Sequence, residues 1–499
     1  MPRRISVQDP TFYTFVSDYG PYDLAGKEVA ARIDANWSTK VLRRQSSALP
    51  VHLASTTVPF DTVANGRYVA EVARGATSPG VLLHNVAPRN ANRELPRVRN
   101  EGEELFAART DAGVLLVGFN SGLSWAYTAA LGVDIYRVPF RTSSQFRGRD
   151  VIPEQAAKLW DTDLRHLEKV TGSDLQTLLD LAGNPGIEPL GSVNEYSGAS
   201  PVKDKSAAGN AGSIRAFVIG PHVRDKHRFR ARCEELFGAG TALAGSAVHS
   251  APAAINSAGR TGSPDLVSAG FIAGQLGLNA QTPTIIVIDS VGAASSGRLA
   301  TAYNRSSRTL FIGPAHEDPW RQISEAGLTV SALPPSVTDP AEVTAKLWQS
   351  AAAGVPYSGE PLPVPKRSGT SVAYCDFYGN IKLHGRPNVP NGSLVEVSIN
   401  GTTHRAVAGE GVFEVPTGVL TLANGSSKAN GVVHKELFWR GKSAAHEFGL
   451  ERGDHGWSAG TDVTVEVLRP LGPSDFADLR VEAITPSYAG VVGLGTIGL

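Results

Sequence analysis

The feature that most constrains this fold is a change of texture about two-thirds of the way along the chain. Up to about residue 354, short apolar runs alternate with longer stretches of helical pattern. A proline-rich segment follows, "VPYSGEPLPVPKRSGTS" (355–371), which reads as an extended linker. Beyond it the runs turn short, β-branched and punctuated by Gly and Asn: "SLVEVSING", "THRAVAG", "GVFEVPTGVLTLANG", "DVTVEVLRP". The first texture is the βα alternation of a wound α/β layer; the second is that of an antiparallel barrel or sandwich. With 499 residues, the chain is too long for one ordinary core.

The alternating part divides again. "TFYTFV", "GVLLHNV", "AGVLLVGF" and "DIYRVPF" read as strands, with "LAGKEVAARI" and "TVANGRYVAEVA" as helical stretches between them. A small-residue stretch, "GASPVKDKSAAGNAGS" (198–213), reads as a linker. A second α/β block follows. Its strands are "RAFVIG", "PTIIVID", "RTLFIG" and "LTVSALP", separated by "SSGRLATAYN" and "WRQISEAG". "RDKHRFRARCEELFG" is a helix with a basic face, and "PAEVTAKLWQSAAAG" closes the block with proline at its start and glycine past its end. The expected fold class is α/β: an N-terminal wound domain at 1–195, a Rossmann-like domain at 196–355 and a C-terminal antiparallel β-barrel-like domain at 356–499.

Composition removes several function classes. Lys plus Arg equals Asp plus Glu, giving a formal net charge of zero and no basic excess to hold a nucleic-acid backbone. Two cysteines, Cys233 and Cys375, exclude a disulfide framework and suit a reducing compartment. "MPRRISVQDP" has no apolar core of signal-peptide length behind its arginines, and no run reaches the roughly 18 apolar residues of a membrane helix. The expectation is a soluble, cytoplasmic protein with no membrane or nucleic-acid partner. His222, His227 and His249 do not form a metal-ligand spacing, and no metal is expected. "DSVGAASSGR" (289–298) offers Gly and Ser amides after a strand, a pattern that suits an anion.

The chemistry starts at "FVSDYGPYD". Asp18 stands at the exit of the first strand, where wound sheets bind ligands, and a carboxylate there can accept two hydrogen bonds from a ribose diol. Asp23 could receive an ammonium. The plainer alternative is that Asp18 caps the following helix and Asp23 is a solvated first-turn acid.

Six segments in one order weigh against the plainer alternative. They are "VPFDTVANGRYVAEVA" (58–73), "GFNSGLSWA" (118–126), "QFRGRDVIPEQAAKL" (145–159), "EPLPVPKRSG" (360–369), "CDFYGNIKL" (375–383) and "GKSAAHEFGLERGD" (441–454). With the Ser-Asp-x-Gly opening, this succession resembles the family of S-adenosylmethionine-dependent fluorinases, chlorinases and hydroxide adenosyltransferases, over 1–195 and 356–470, with the middle block as an insertion. The resemblance implies a homotrimer in which S-adenosylmethionine, as substrate, lies between the α/β domain of one subunit and the β domain of a neighbour. It places the ribose on Asp18 and the methionine ammonium on Asp23 and Asp376. Tyr378 and Asn380 would meet the adenine, with Arg440 near its edge. Ser426 or Ser427 would contact the methionine carboxylate. Phe60 would wall the reacting carbon, and Asn120 belongs to the Asn-x-Gly-Leu loop.

The family reaction is displacement at the ribose 5′-carbon by an anion. The sulfonium leaves readily, so the protein chiefly strips water from the nucleophile and aligns it. Here the water-handling set of the hydroxide enzymes is altered: the positions fall on Ala87, Glu94 and Arg147. The halide-handling positions are not matched cleanly either; Ala87 and Asn90 stand there, and Gly148 offers an open backbone amide. A guanidinium at Arg147 suits a larger oxyanion held by two hydrogen bonds; the alternative is a structural ion pair with Glu94 or Asp150. Arg147, Gly148 and Asn90 are therefore the candidate catalytic residues of an adenosyltransferase or halogenase-like enzyme whose nucleophile is unassigned. A chain that keeps the adenosyl pocket without the chemistry is the competing expectation.

Overall fold

The computed structural model describes residues 9–19, 24–38, 51–56, 61–86, 104–121, 123–141, 146–183, 193–197, 215–220, 247–250, 264–281, 283–288, 298–337, 340–364, 366, 368–376, 378–411, 414–450, 460–472 and 474–479. Asp23, Phe60, Asn90, the segment from Ala87 to Glu94, the small-residue linker, the basic helix with Cys233, and most of "DSVGAASSGR" lie outside them.

Eight strands form the first sheet: β1 (Tyr13–Ser17), β2 (Val51–Thr56), β3 (Val81–Asn85), β4 (Leu105–Arg109), β5 (Leu115–Phe119), β6 (Ile135–Val138), β7 (Glu168–Lys169) and β8 (Val193–Ser197). Their order is β7-β6-β4-β5-β3-β1-β2-β8. β2, β1, β3 and β5 run parallel, and the flanking strands pair antiparallel. The helices are α1 (Leu24–Ser38), α2 (Thr62–Gly75), α3 (Ala126–Ala130), α4 (Arg147–Asp150), α5 (Ile152–Leu159) and α6 (Gly172–Gly183). Strand alternation sends Phe15, Val81 and Leu83 to one face, against Val29 and Ile33 of α1 and Ile152 and Ala156 of α5. Val16, Leu82 and Leu116 point the other way, onto Val69 and Ala73 of α2 and onto Trp125. The parallel strands are buried on both sides, which explains their near-continuous apolar runs. Asp61 caps α2 by accepting from Ala64 N at 2.8 Å, as the Pro-x-Asp start of that segment suggests.

A second sheet contains β9 (Arg215–Gly220), β10 (Ala247–Ser250), β11 (Thr284–Ile288), β12 (Leu299–Asn304), β13 (Thr309–Pro314), β14 (Ser331–Ala332) and β15 (Glu360–Pro361), in the order β10-β9-β11-β13-β12-β14-β15. Against it lie α7 (Pro264–Leu278), α8 (Glu317–Glu325) and α9 (Pro340–Ala352). Two expectations need correction. "LATAYN", read as part of a separator, is strand β12, zipped antiparallel to β13 through a tight turn at Arg305–Arg308. The proline-rich linker also contributes an edge strand, β15, paired with β14.

The last part is a closed barrel of β16 (Thr370–Cys375), β17 (Ile381–His384), β18 (Ser393–Ile399), β19 (Thr402–Ala408), β20 (Leu420–Ala429), β21 (Val432–Trp439) and β22 (Asp462–Pro470). Pairing is antiparallel around the barrel except between β19 and β20, which run parallel. Its interior is filled by Val372, Ile381, Leu383, Val395, Leu422 and Leu437, with Cys375 among them. Burial pushes the Cys375 thiol well up, so it packs as an inert apolar group. Among the described residues no helix is long and apolar enough to cross a membrane.

Candidate functional site

The chain leaves β1 for β2 on one side and returns to β3 on the other, so β1 and β3 part at their C-terminal ends. Such a switch point opens the crevice where wound sheets bind ligands. Ser17 is level with Asn85 at the end of the ladder, and Asp18 is the next residue. Asp18 is wholly buried, and its Oδ1 accepts a short hydrogen bond from the hydroxyl of Tyr378, 360 positions away on the barrel. The two residues expected to clasp a nucleoside from opposite sides are in contact, and the contact is made within one chain.

Tyr19 builds the wall beside them. Its carbonyl accepts from Ser55 Oγ at 2.8 Å, and Asn85 Nδ2 donates to its hydroxyl. Its ring stands edge-on to Phe146 at 5.6 Å and to Tyr378 at 6.1 Å. A Cβ on Gly148 would come within 2.5 Å of the Tyr19 hydroxyl and 2.7 Å of Asn85 Nδ2. Glycine at 148 is thus required by packing, whatever its backbone amide does. Arg147 heads α4 with its guanidinium 4.7 Å from the Phe119 ring centroid, at the end of β5. Asn120 follows Phe119, half-buried, its N–H bonded to Glu104 O at 2.8 Å. The ion-pair alternative for Arg147 meets a competitor, because Arg149 holds Asp150 through two parallel hydrogen bonds of 2.8 and 2.9 Å.

On the barrel side the turn Asp376–Asn380 joins β16 to β17. Gly379 has φ +77° and lies so close to Ser443 that a Cβ would meet Ser443 Cβ at 2.7 Å, so this turn needs glycine. Asp376 Oδ1 accepts from the N–H groups of Tyr378 (3.0 Å) and Asn380 (2.9 Å). Its Oδ2 accepts from Asn380 Nδ2 (2.6 Å) and Lys382 Nζ (3.3 Å). A carboxylate has about four acceptor directions, and all four are occupied. An incoming ammonium would have to replace Lys382.

Lys382 and Glu436 are cross-strand partners on β17 and β21. Their neighbours Ile381, Leu383 and Leu437 line the barrel interior, so alternation turns this pair outward, toward the first sheet. Glu436 Oε1 accepts from Ser426 N (2.9 Å), Ser426 Oγ (3.2 Å), Ser427 N (3.4 Å) and Lys382 Nζ (3.1 Å). Ser426 and Ser427, one of which the resemblance sets against a ligand carboxylate, already hold a carboxylate of the protein. Among the described residues no hydrogen bond reaches Glu436 Oε2, although the residue is 0% exposed. From the opposite wall Arg149 Nη1 reaches Glu28 Oε2 and the Ser426 carbonyl, both at 3.0 Å. Burial pushes the Glu28 carboxyl up against the pull of Arg149 and Lys382. Arg149 keeps its charge: burial disfavours it, but Glu28 and Asp150 together raise its affinity for the proton.

Arg440 is buried and donates to the Val415 carbonyl, which ties down the loop before β20; burial lowers its proton affinity. Behind the switch point His84 is buried between Trp125, 5.0 Å away, and Gly118, with burial taking its pKa down to about 3. An open cleft of about 450 Å³, lined in part by Phe140, Arg141, Glu154 and Lys158, shares only Asp150 with the junction.

Sequence reasoning singled out Asp18, Tyr378, Asp376, Asn380, Ser426 and Ser427, and the fold brings these to one junction. It missed Tyr19, Glu28, Asn85, Arg149, Lys382 and Glu436. Tyr19, Arg149 and Lys382 sit inside segments already notable, "SDYG", "FRGRD" and "YGNIKL", but nothing local marks them as partners.

No family model matches this chain, and no curated protein matches it. Among solved structures, an uncharacterized conserved protein from Thermotoga maritima matches with 13% identity and a TM-score of 0.36, over 50% of this chain and 100% of that one. A conserved hypothetical protein from Thermus thermophilus matches with 18% identity and a TM-score of 0.35, over 51% of this chain and 100% of that one.

Proposed function

We propose that this chain binds an adenosine derivative where β1 and β3 end beneath the barrel turn, and transfers the 5′-adenosyl group to an anion. The donor implied by the sequence resemblance is S-adenosylmethionine. An anion forms a bond to the ribose 5′-carbon, the carbon–sulfur bond breaks with its electron pair passing to sulfur, and L-methionine leaves. No proton moves, so no general acid is needed. The observation that carries this reading is the fully buried Asp18 carboxylate at the switch point with the Tyr378 hydroxyl closing over it. A carboxylate at such a point is the acceptor that a ribose diol requires. Arg147 over Phe119, with the Gly148 amide and Asn90, would hold the nucleophile. The homotrimer of the resemblance and an inserted role for the middle sheet belong to the same proposal.

The test is incubation of the purified chain with S-adenosylmethionine and a panel of halides, carboxylates and oxyanions, followed by mass spectrometry of released L-methionine. Anion-dependent release supports transfer. Adenosyl binding without release under every anion leaves a binding protein. Unchanged nucleoside affinity in Asp18→Ala, with the fold intact, would remove the pocket itself.

A further inference from the structure

In this structure an acceptor at the switch point is already taken. Asp18 is 0% exposed, and its Oδ1 receives the Tyr378 hydroxyl in a short hydrogen bond. A buried carboxylate oxygen requires a donor, and the barrel supplies an O–H of the kind a ribose would bring. A ligand hydroxyl reaches that oxygen only after Tyr378 has let go. Burial says the same, since a wholly covered carboxylate has no surface on which a sugar could land.

The turn that carries Tyr378 is a fixed base. Asp376 Oδ1 accepts from Tyr378 N at 3.0 Å and Asn380 N at 2.9 Å, Asp376 N donates to Asn380 O at 3.0 Å, and Ala445 N donates to Gly379 O at 2.8 Å. Gly379 at φ +77° abuts Ser443, which leaves the backbone no room to shift. The Tyr378 side chain, by contrast, is half-buried, with its ring edge-on to Tyr19 at 6.1 Å. Rotation about its own side-chain bonds can therefore free the hydroxyl while the turn stays in place. The barrel keeps a separate hold nearby: the Tyr374 hydroxyl accepts from Leu24 N, the first residue of α1, at 3.2 Å.

Resting on the nucleoside reading above, we infer that Tyr378 is a latch: its hydroxyl holds the sugar's place on Asp18 in the empty protein and is displaced when a nucleoside binds. One O–H donor replaces another on the same oxygen. Apparent affinity is lowered by the fraction of molecules in which the latch is shut. Removing the hydroxyl alone therefore strengthens nucleoside binding. A hydroxyl whose task was to contact the bound ligand would have the opposite effect.

Isothermal titration of the full chain with adenosine, wild type against Tyr378→Phe, tests this. The variant keeps the ring and loses the competing donor, and adenosine is expected to bind it about tenfold more tightly. Equal or weaker binding overturns the latch and leaves the nucleoside reading standing. Stopped-flow mixing of the wild type with adenosine is a second measurement, and it decides alone if the variant does not fold. The observed rate is expected to level off at the rate of latch opening as adenosine is raised. A rate that keeps climbing in proportion to adenosine, far above the Kd, also overturns the latch. Failure of adenosine to bind either folded protein overturns the nucleoside reading and the latch together.

Discussion

The barrel is gripped on two sides by contacts of opposite chemistry. Toward the first sheet it presents the Ser426 carbonyl, which accepts from Arg149, and Lys382, paired with Asp376 and Glu436, whose charge acts on Glu28. Toward the second sheet it presents Tyr374 and Ala429, which pack with Phe271, Ile272 and Leu276 of α7, the Phe271 and Tyr374 rings stacked at 6.2 Å. Polar groups are few there: the His434 ring nitrogen Nε2 lies 2.7 Å from Gln275 Nε2 and 3.1 Å from Gln322 Nε2, and His384 Nε2 lies 3.8 Å from the Glu325 carboxylate. Burial, then His384, takes the His434 pKa down to about 4. An apolar contact holds by area alone and asks nothing of a ligand. A buried ionic contact loses much of its Coulombic gain to desolvation, so it is a poorer fastener than an apolar one.

Breaking the ionic side should have the largest effect. Lys382→Met leaves Asp376 and Glu436 buried without their shared cation, and a cost of about 4 kcal/mol is expected in urea unfolding. Lys382→Met with Glu436→Leu should recover part of it, since the apolar pair removes one of the two stranded charges and leaves Asp376 on its three amide donors. A double variant no better than the single would mean that the pair is a net fastener after all. On the apolar side, Phe271→Ala should cost about 3 kcal/mol through the lost ring and cavity, with no change under about 1 M salt. A strongly salt-dependent loss would count against the contrast.

Smaller effects sharpen the picture. Gly148→Ala pushes a methyl into Tyr19 and Asn85, and overpacking of about 2 kcal/mol is expected, together with weaker nucleoside binding. Full stability with normal binding would show that the switch-point wall is soft. The smallest effect is one of pH. His434 has its folded pKa depressed from 6.5 to about 4, so between those values the unfolded chain binds the extra proton. Stability from this site is fully present above about 6.5 and is lost as pH falls toward about 4. His434→Gln should flatten the urea midpoint across that window; an unchanged slope would move the effect to other groups.

Much of the architecture is legible in the amino-acid order. The runs at β3, β5, β11 and β13 are apolar throughout because both faces are covered, and the switch to Gly- and Asn-punctuated strands marks the barrel. β12 escaped for a local reason. Its turn into β13 uses Arg308 at φ +49° where a glycine would have announced a hairpin. β4 and β8 are single short strands that pair antiparallel at the flanks of a sheet read as a wound α/β layer. At the site, Asp18 could be picked out because a strand exit is a position along the chain. Arg149 and Glu28 could not, because their meeting is a contact across 121 residues, and that of Arg149 with Ser426 spans 277.

The sequence by itself determined the periods: where the chain must wind as α/β, where it must turn to short antiparallel strands, and that a carboxylate stands at the exit of the first strand. Those follow from spacing, which is local. Tertiary structure alone decided how the charges are shared, with Lys382 on Asp376 and Glu436 on the Ser426 and Ser427 amides. The reason is physical: the strength of a buried charge depends on which groups surround it in space, and no order of residues specifies those distances until the chain has closed on itself.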